Sequence, residues 1–461
     1  MLNALYKRFE ALIDPFRLYP EETPPRTLVA YFLTYLRQTW PVFGALLVVG
    51  LLVTLTEVMV FRYVANIVDF LTVTKPAQLW EAHGRDFIVM LVVLGLAWPL
   101  LIMLQSLLLQ QGVTTNFPAL IRWQSHRHVV RQSISFFAND FAGRIASKVV
   151  DSASAVRNTL TTLCDGVLYI TVYFSSAVYL FFKADFRMVI PLLAWCIAYG
   201  LVCWRITPRL SGAAETASEA RSALVGRVVD SYTNIQTVKL FADPVREDNY
   251  VREALEINTA GWQAQQRLIT RLDILVSWLN SALLITTGLV AVWLWTQGAI
   301  TVGAIALVGA LTQRILNMSG WVMFQVTSLF ENIGTVQNGI ETISQDHAVV
   351  DAPDADKLIV PQGKVVFDAV SFGYGVEGRT ALDHVNLTIA AGEKIGLVGP
   401  SGAGKSTLVN VFLRLHDLNR GHIRIDGQDI SVVTQDSLRA HIGMVTQDTS
   451  LLHRSIRDNI A

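Results

Sequence analysis

Six apolar runs, each long enough to cross a bilayer as a helix, constrain this chain more than any other feature of it. About 20 helical residues span the ~30 Å hydrocarbon layer, where backbone N–H and C=O groups find no water and must bond within the run itself. The runs lie at Trp40–Phe61, Phe87–Leu109, Leu163–Phe182, Phe186–Ile206, Leu272–Trp295 and Ile300–Val322. Lys183–Asp185 alone separates the third from the fourth, and Thr296–Ala299 the fifth from the sixth, so each pair predicts a tight hairpin. Only 16% of the 461 residues are charged, against about 25% in an average soluble domain, and the six runs account for the deficit. A net charge of zero offers no basic surface to displace the counterions of nucleic acid. No nucleic-acid partner is expected.

Lys and Arg in the connections set the orientation. One side carries 20 of them, from Lys7 to Arg37, Arg122 to Arg157 and Arg205 to Arg271, while the other carries only Arg62, Lys75, Arg85, Lys183 and Arg187. The richer side is predicted cytoplasmic, and six crossings return the C-terminal part to it. The segment Ser211–Asn258 is rich in Ala, Glu, Arg and Val and lacks proline before Pro244. It predicts helices that carry the spans well beyond the bilayer. Scattered charge and Pro15, Pro20, Pro24 and Pro25 leave no signal-peptide core in the first 35 residues. Pro24–Gln38 reads as an amphipathic helix along the cytoplasmic interface, and the tail is too short for a peptidase domain. Cys164, Cys196 and Cys203 have neither metal spacing nor a disulfide pattern. The expected organisation is residues 1–39 as tail and interfacial elbow, 40–344 as a six-span domain with two long cytoplasmic loops, 345–362 as a polar, acidic linker, and 363–461 as the start of a soluble α/β domain.

That last segment carries the most specific motif. A strand candidate, Lys394–Val398, leads into Gly399, Pro400, Ser401, Gly402, Ala403, Gly404, Lys405, Ser406 and Thr407, followed by the helically spaced Leu408–Leu415. Strand, G-x-x-x-x-G-K-[ST], helix is the phosphate-binding loop: glycines turn backbone N–H groups inward, and the helix N-terminus adds its dipole. Lys405 brings positive charge to the β/γ-phosphates, and Ser406 an oxygen ligand for Mg²⁺. Upstream, Val365–Tyr374 alternates as a strand and ends on an aromatic, Tyr374, whose ring can stack on a purine. His422–Asp426 is a further strand candidate, and Ile442–Gln447 another, ending on an amide that can reach Mg²⁺ and a water near the γ-phosphate.

Together these residues resemble the ATP-binding cassette exporters, as a half-transporter. The resemblance rests on Gly399–Thr407, His422–Ile430, Ile442–Asp448 and Ser455–Ala461, and in the membrane half on Phe136–Ser147 and Gly226–Ala242. It implies a mostly α membrane domain of six transmembrane helices fused to an α/β P-loop nucleotide-binding domain. It also implies ATP and Mg²⁺ as cofactors and a second half-transporter, identical or not, as partner. Tyr374 would stack on adenine, Lys405 bind phosphate, and Ser406 and Gln447 ligate Mg²⁺. Residues near Phe136–Gly143 and Asn234–Phe241 would be coupling helices, the second docking on the partner's ATPase domain. The family's LSGGQ motif, the Asp–Glu pair after an apolar strand and the switch histidine have no counterpart before Ala461. The expectation is a domain incomplete at its C-terminus, which by itself does not hydrolyse ATP.

The resulting expectation is an ATP-driven exporter of a hydrophobic or amphipathic lipid, drug or peptide, in a bacterial inner membrane with the cassette cytoplasmic. The alternatives are a channel or regulator that binds ATP without pumping, and a non-catalytic subunit. Charged and amide side chains in spans are costly and face an interior or a cavity. Gln313, Arg314 and Trp321 in the sixth span are therefore expected to line the substrate cavity. A structural ion pair between Arg314 and Glu57 is the competing reading.

Overall fold

A computed structural model describes residues 2–18, 23–138, 142–241, 243–374, 380–445 and 454–460. The chain divides into two units, one of Met1–Leu18, Thr27–Trp123 and Val150–Ile340, the other of Tyr19–Arg26, Gln124–Val149 and Glu341–Ala461.

The first unit is helical, and of the long-helix region only residues 124–149 and 341–343 fall in the second. A short helix α1 (Leu2–Glu10) precedes α2 (Leu28–Val73). The second membrane-crossing stretch, Pro76–Val130, comprises α3 (Leu79–Val92), α4 (Trp98–Ser106) and α5 (Asn116–Val130), with π-helical turns at Val93–Ala97 and Leu107–Val113. After α6 (Ile134–Ala138), the third comprises α7 (Ala142–Thr161), a π-helical turn Thr162–Val167 and α8 (Leu168–Ala184). Then come α9 (Val189–Thr233), α10 (Ile235–Phe241), α11 (Pro244–Thr296) and α12 (Val302–Ile343). Six stretches, of 42 to 55 residues, are long and apolar enough to cross a membrane. Each is about twice the length a crossing needs, so every one extends into water. The α8–α9 hairpin turns where the sequence predicts it: Asp185 accepts the Arg187 N–H at 2.8 Å and stops the helix.

The helix expected over Pro24–Gln38 does not stand apart. It begins at Leu28 and runs unbroken through Pro41 into the first span. One side of it is covered by protein: Tyr31 and Tyr35 are buried, packed edge to face, and join Phe43, Phe117 and Val336 in one cluster, while Val29, Leu33 and Trp40 stay exposed. A second cluster around Tyr173, Phe181, Leu192, Leu294 and Leu311 packs the helices toward the α8–α9 and α11–α12 turns.

The outer end of α12 is seated on α2. Asp69 accepts the Gly303 N–H at 2.7 Å and the Thr301 hydroxyl at 2.9 Å, a carboxylate placed on a helix N-terminus. A Cβ at Gly303 would stand 2.3 Å from the carbonyl oxygen of Ala65, which is backbone and has no rotamer to yield. Gly303→Ala is therefore expected to destabilise this unit by about 1–3 kcal/mol, the range for forced overpacking. A thermal melt in detergent checks it, and an unchanged midpoint contradicts the seat.

In the second unit, Val129, Ile145, Val149 and Ile343 form a small core. His128 and His347 stack at 4.4 Å, and His128 Nε2 and the Gln132 amide both meet the carbonyl of Gln345.

The soluble part of that unit is a four-stranded antiparallel sheet in the order β2-β1-β3-β4, with β1 Val365–Phe372, β2 Leu382–Ile389, β3 Arg420–Ile425 and β4 Gln428–Asp429. Helix α13 (Lys405–Phe412) packs Leu408 and Val411 with Phe367, Val370 and Ile423. The helices α14 (Gln435–Ala440) and α15 (Ile456–Ile460) follow. Strands arise at Val365 and His422 as expected, but Lys394–Val398 and Ile442–Val445 form none. Val398 and Val445 are 98% and 96% exposed. A buried parallel strand needs neighbours on both sides, and the described residues supply none there. Ile395 and Leu397 instead edge a shallow apolar cavity of about 180 Å³ with Phe367, Leu387 and Leu408.

The stretch 345–362, read as a linker from its Pro and Asp content, is fastened to this sheet unit. Leu358 is buried in the core, Asp356 bridges Val433, and Ile359 exchanges two hydrogen bonds with the Gln428 side chain. Arg414, also buried, is the main fastener: its guanidinium bonds Asp351, Asp417 and the carbonyls of Val350 and Val433. Asp426 accepts three backbone N–H groups, from Gln362, Gly363 and Lys364. Those donors hold its carboxyl below the usual range. Polar composition hides such straps, because their bonds go to residues 60 to 80 positions away.

Candidate nucleotide site and the polar groups of the spans

The loop Gly399–Gly404 ends on two left-handed glycines, Gly402 at φ 82° and Gly404 at φ 86°. Gly404 caps α13. A Cβ there would stand 2.7 Å from the Ala381 carbonyl, so conformation and space both require glycine. The geometry turns the loop back over the helix N-terminus, where unbonded N–H groups and the helix dipole favour an anion. Lys405 folds over the loop, its Nζ donating to the carbonyls of Gly399 and Pro400 at 2.8 Å each. Those carbonyls hold the ammonium where a β/γ-phosphate would take it over. Ser406 is exposed at the second position of α13, while Thr407 is buried.

Tyr374 reaches the same place. Its hydroxyl lies 3.2 Å from Thr407 Oγ1. Its ring meets Phe372 edge to face at 5.0 Å and His416 at 5.4 Å. Burial pushes His416 below its usual pKa, so it faces the ring uncharged. The loop and Tyr374, more than 20 residues apart in sequence, are thus brought together with an exposed aromatic face beside a phosphate cradle. The donor set suits a nucleotide, and Ser406 suits Mg²⁺. Gln447 lies outside the described residues.

Arg314, in the spans, donates to Glu57 and to the Tyr169 hydroxyl, both at 2.5 Å. Tyr169 also meets Trp321 edge to face at 6.1 Å, so one tyrosine from α8 bridges two of the three residues expected at the cavity. The third, Gln313, donates to Asn317 one turn along its own helix. Glu57, Tyr169 and Arg314 stand 16, 15 and 12 residues from the outer ends of their helices, about 18–24 Å at 1.5 Å per residue. A further polar pair joins Gln105 to Asp165 at 2.7 Å, where the π-helical turn Thr162–Val167 brings Asp165 against Gly50. Sequence reasoning missed Asp165 and Tyr169. A carboxylate just inside the third run was the available signal, whereas Tyr169 has none without the fold. A cavity of about 670 Å³ opens lower in this unit, lined by Arg221, Trp262, Gln265, Glu331 and Asn338 among others, and by none of Gln313, Arg314 and Trp321.

Residues 43–319 match the ABC transporter transmembrane region, and residues 382–460 match the ABC transporter family. An ABC transporter ATP-binding protein of Haemophilus influenzae is 39% identical over 464 residues, covering all of this chain and 75% of that protein. An ATM1-type heavy metal exporter of Novosphingobium aromaticivorans is 35% identical over 268 residues, 58% of this chain and 43% of that protein. The structure of a bacterial Atm1-family ABC exporter with ATP bound superposes with a TM-score of 0.76 at 24% identity, covering 91% of this chain and 74% of that one. With six membrane-crossing helices and a phosphate loop on one polypeptide, the chain belongs to the ATP-binding cassette transporters, as an integral membrane half-transporter of the exporter type with one nucleotide-binding domain.

Proposed function

We propose that two such half-transporters, identical or not, bind Mg²⁺ and ATP between their cassettes and convert cassette closure into alternating access across a bacterial inner membrane. The observation that carries this is the phosphate loop: left-handed Gly402 and Gly404, the α13 N-terminus, Lys405 and Tyr374 converge on one place. Bound Mg²⁺ would neutralise phosphate charge, with Ser406 and Gln447 as its ligands. Tyr374 would hold the base and Lys405 the β/γ-phosphates. Residues near Phe136–Gly143 and Asn234–Phe241 would carry the motion, the second as α10 on the partner's cassette.

The cargo is hydrophobic or amphipathic with an anionic or acceptor group. Trp321 and Tyr169 would meet its apolar part. The partly exposed guanidinium of Arg314 would meet its oxygen. A metal-bearing anionic complex fits the same description, in keeping with the heavy metal exporter among the relatives. Reversing the Arg314–Glu57 pair separates cargo contact from a structural tie. Arg314→Glu with Glu57→Arg is expected to fold as the parent does while losing anionic cargo at least tenfold. Export unchanged in range and rate after the exchange removes Arg314 from the cargo site.

The second reading is a non-catalytic subunit, for which the polypeptide 1–461 in lipid is expected to release phosphate no faster than its Lys405→Ala variant. Turnover above that background overturns the expectation.

A further inference from the structure

Three aromatic rings close a triangle beside the phosphate loop. Phe372, at the end of β1, meets Tyr374 at 5.0 Å with an angle of 84° between the ring planes. His416 meets Tyr374 at 5.4 Å and 86°, and Phe372 at 5.2 Å and 36°. Two rings therefore stand nearly perpendicular to that of Tyr374, the attractive edge-to-face arrangement. More than half of Tyr374 is nonetheless open, at 53% exposure. Its hydroxyl lies 3.2 Å from Thr407 Oγ1. That bond is made at the end of the ring's long axis, so it leaves the plane free to turn about the axis, a torsion with only broad intrinsic minima. The triangle stops the turn.

His416 is itself set by a braced loop, residues 413–419. Arg439 donates to the carbonyls of Leu413 and Arg414 at 3.3 and 3.0 Å. Arg414 bonds the Asp417 carboxylate from within the loop. At the far end Asn419 ties the loop to β1 twice: its N–H donates to the Ser371 carbonyl at 3.1 Å, and its Oδ1 accepts the Gly373 N–H at 2.8 Å. Those two bonds flank Phe372 and hold the imidazole at a fixed distance from Tyr374. Burial favours the neutral imidazole, and among the described residues it makes no hydrogen bond or ion pair. A polar ring is thus placed for its contacts with two other rings.

We propose that His416 is a positioning residue for the nucleotide: it fixes the plane of the Tyr374 ring, so that the base stacks on a surface already ordered. The proposal rests on the reading that the base lies on Tyr374. A ring free to turn would have to be ordered as the base arrives, and that ordering subtracts from affinity. His416 acts through Tyr374 and takes no part in holding the phosphates, which fall to Lys405 and the α13 N-terminus.

Calorimetric titration of the whole chain in lipid tests this, with MgATP and, separately, with magnesium tripolyphosphate, which carries phosphates and no base. His416→Ala should weaken ATP binding about three- to tenfold, the cost of ordering one side chain, and leave tripolyphosphate binding unchanged. In a Tyr374→Ala background the same change should add nothing, because no ring is left to orient. His416→Phe keeps an aromatic edge and should bring ATP binding back to within about twofold of the parent. ATP affinity that falls with Tyr374→Ala but not with His416→Ala would overturn the proposal and leave the base on Tyr374. Tripolyphosphate binding weakened as much as ATP binding would make His416 a structural member of its loop and overturn the proposal too. So would an undiminished effect of His416→Ala in the absence of Tyr374. Tyr374→Ala without effect on ATP removes the base from that ring, and the proposal falls with the reading.

Discussion

Replacing Arg414 by alanine is expected to destabilise the cassette by about 1–3 kcal/mol, the range for leaving hydrogen-bonded groups without their partner, since Asp351 and Asp417 are 35% and 48% exposed and regain water. The side chain is 5% exposed and satisfies four acceptors: Asp351 at 3.3 Å, Asp417 at 3.1 Å, Val350 O at 3.0 Å and Val433 O at 2.9 Å. Alanine leaves two carboxylates and two carbonyls around a cavity and unties residues 350–351 from the sheet. Domains of ordinary stability hold about 5–15 kcal/mol in total, so the loss is a large share. Arg414→Lys should recover only part, because one ammonium cannot reach acceptors that a planar fork spans. Limited proteolysis and thermal unfolding read the effect. A melt unchanged by alanine contradicts the fastener assigned to Arg414.

The second large effect is functional. Lys405→Ala should weaken ATP binding by about a hundredfold, corresponding to about 2–3 kcal/mol for a hydrogen bond to a charged group. The fold should survive, because among the described residues the Lys405 ammonium bonds only the carbonyls of its own loop, on the exposed side. Titration of the chain in lipid with a fluorescent ATP analogue measures the loss. Equal affinity in the variant would remove Lys405 from the site.

The features legible in sequence are those whose cause is local. Length and apolarity define the six crossings. The positions of Gly402, Gly404 and Lys405 define the loop, because left-handed turns and a helix start follow from neighbouring residues. Long-range contacts were not legible. Leu28–Gln38 has the pattern of an interfacial helix, yet Tyr31 and Tyr35 are buried against Phe43 and Phe117. The seat of the first helix on Gly112 and Asn116 is likewise announced by no local pattern. The linker's Asp351 and Asp356 look solvated until Arg414 and Val433 are placed beside them. Lys394–Val398 and Ile442–Val445 show the opposite case, apolar segments without the neighbours that would make them strands. Arg314 was legible as a charge in a span, but its engagement by Tyr169 required the third helix.

The central claim is that nucleotide sits with its base on Tyr374 and its phosphates on Lys405. Photo-crosslinking of the chain in lipid with 8-azido-ATP, followed by mass-spectrometric mapping of the adduct, tests both halves at once. The account predicts an adduct on or beside Tyr374, displaced by unlabelled ATP and absent from Lys405→Ala. An adduct mapping elsewhere, or one that persists in Lys405→Ala, would contradict it.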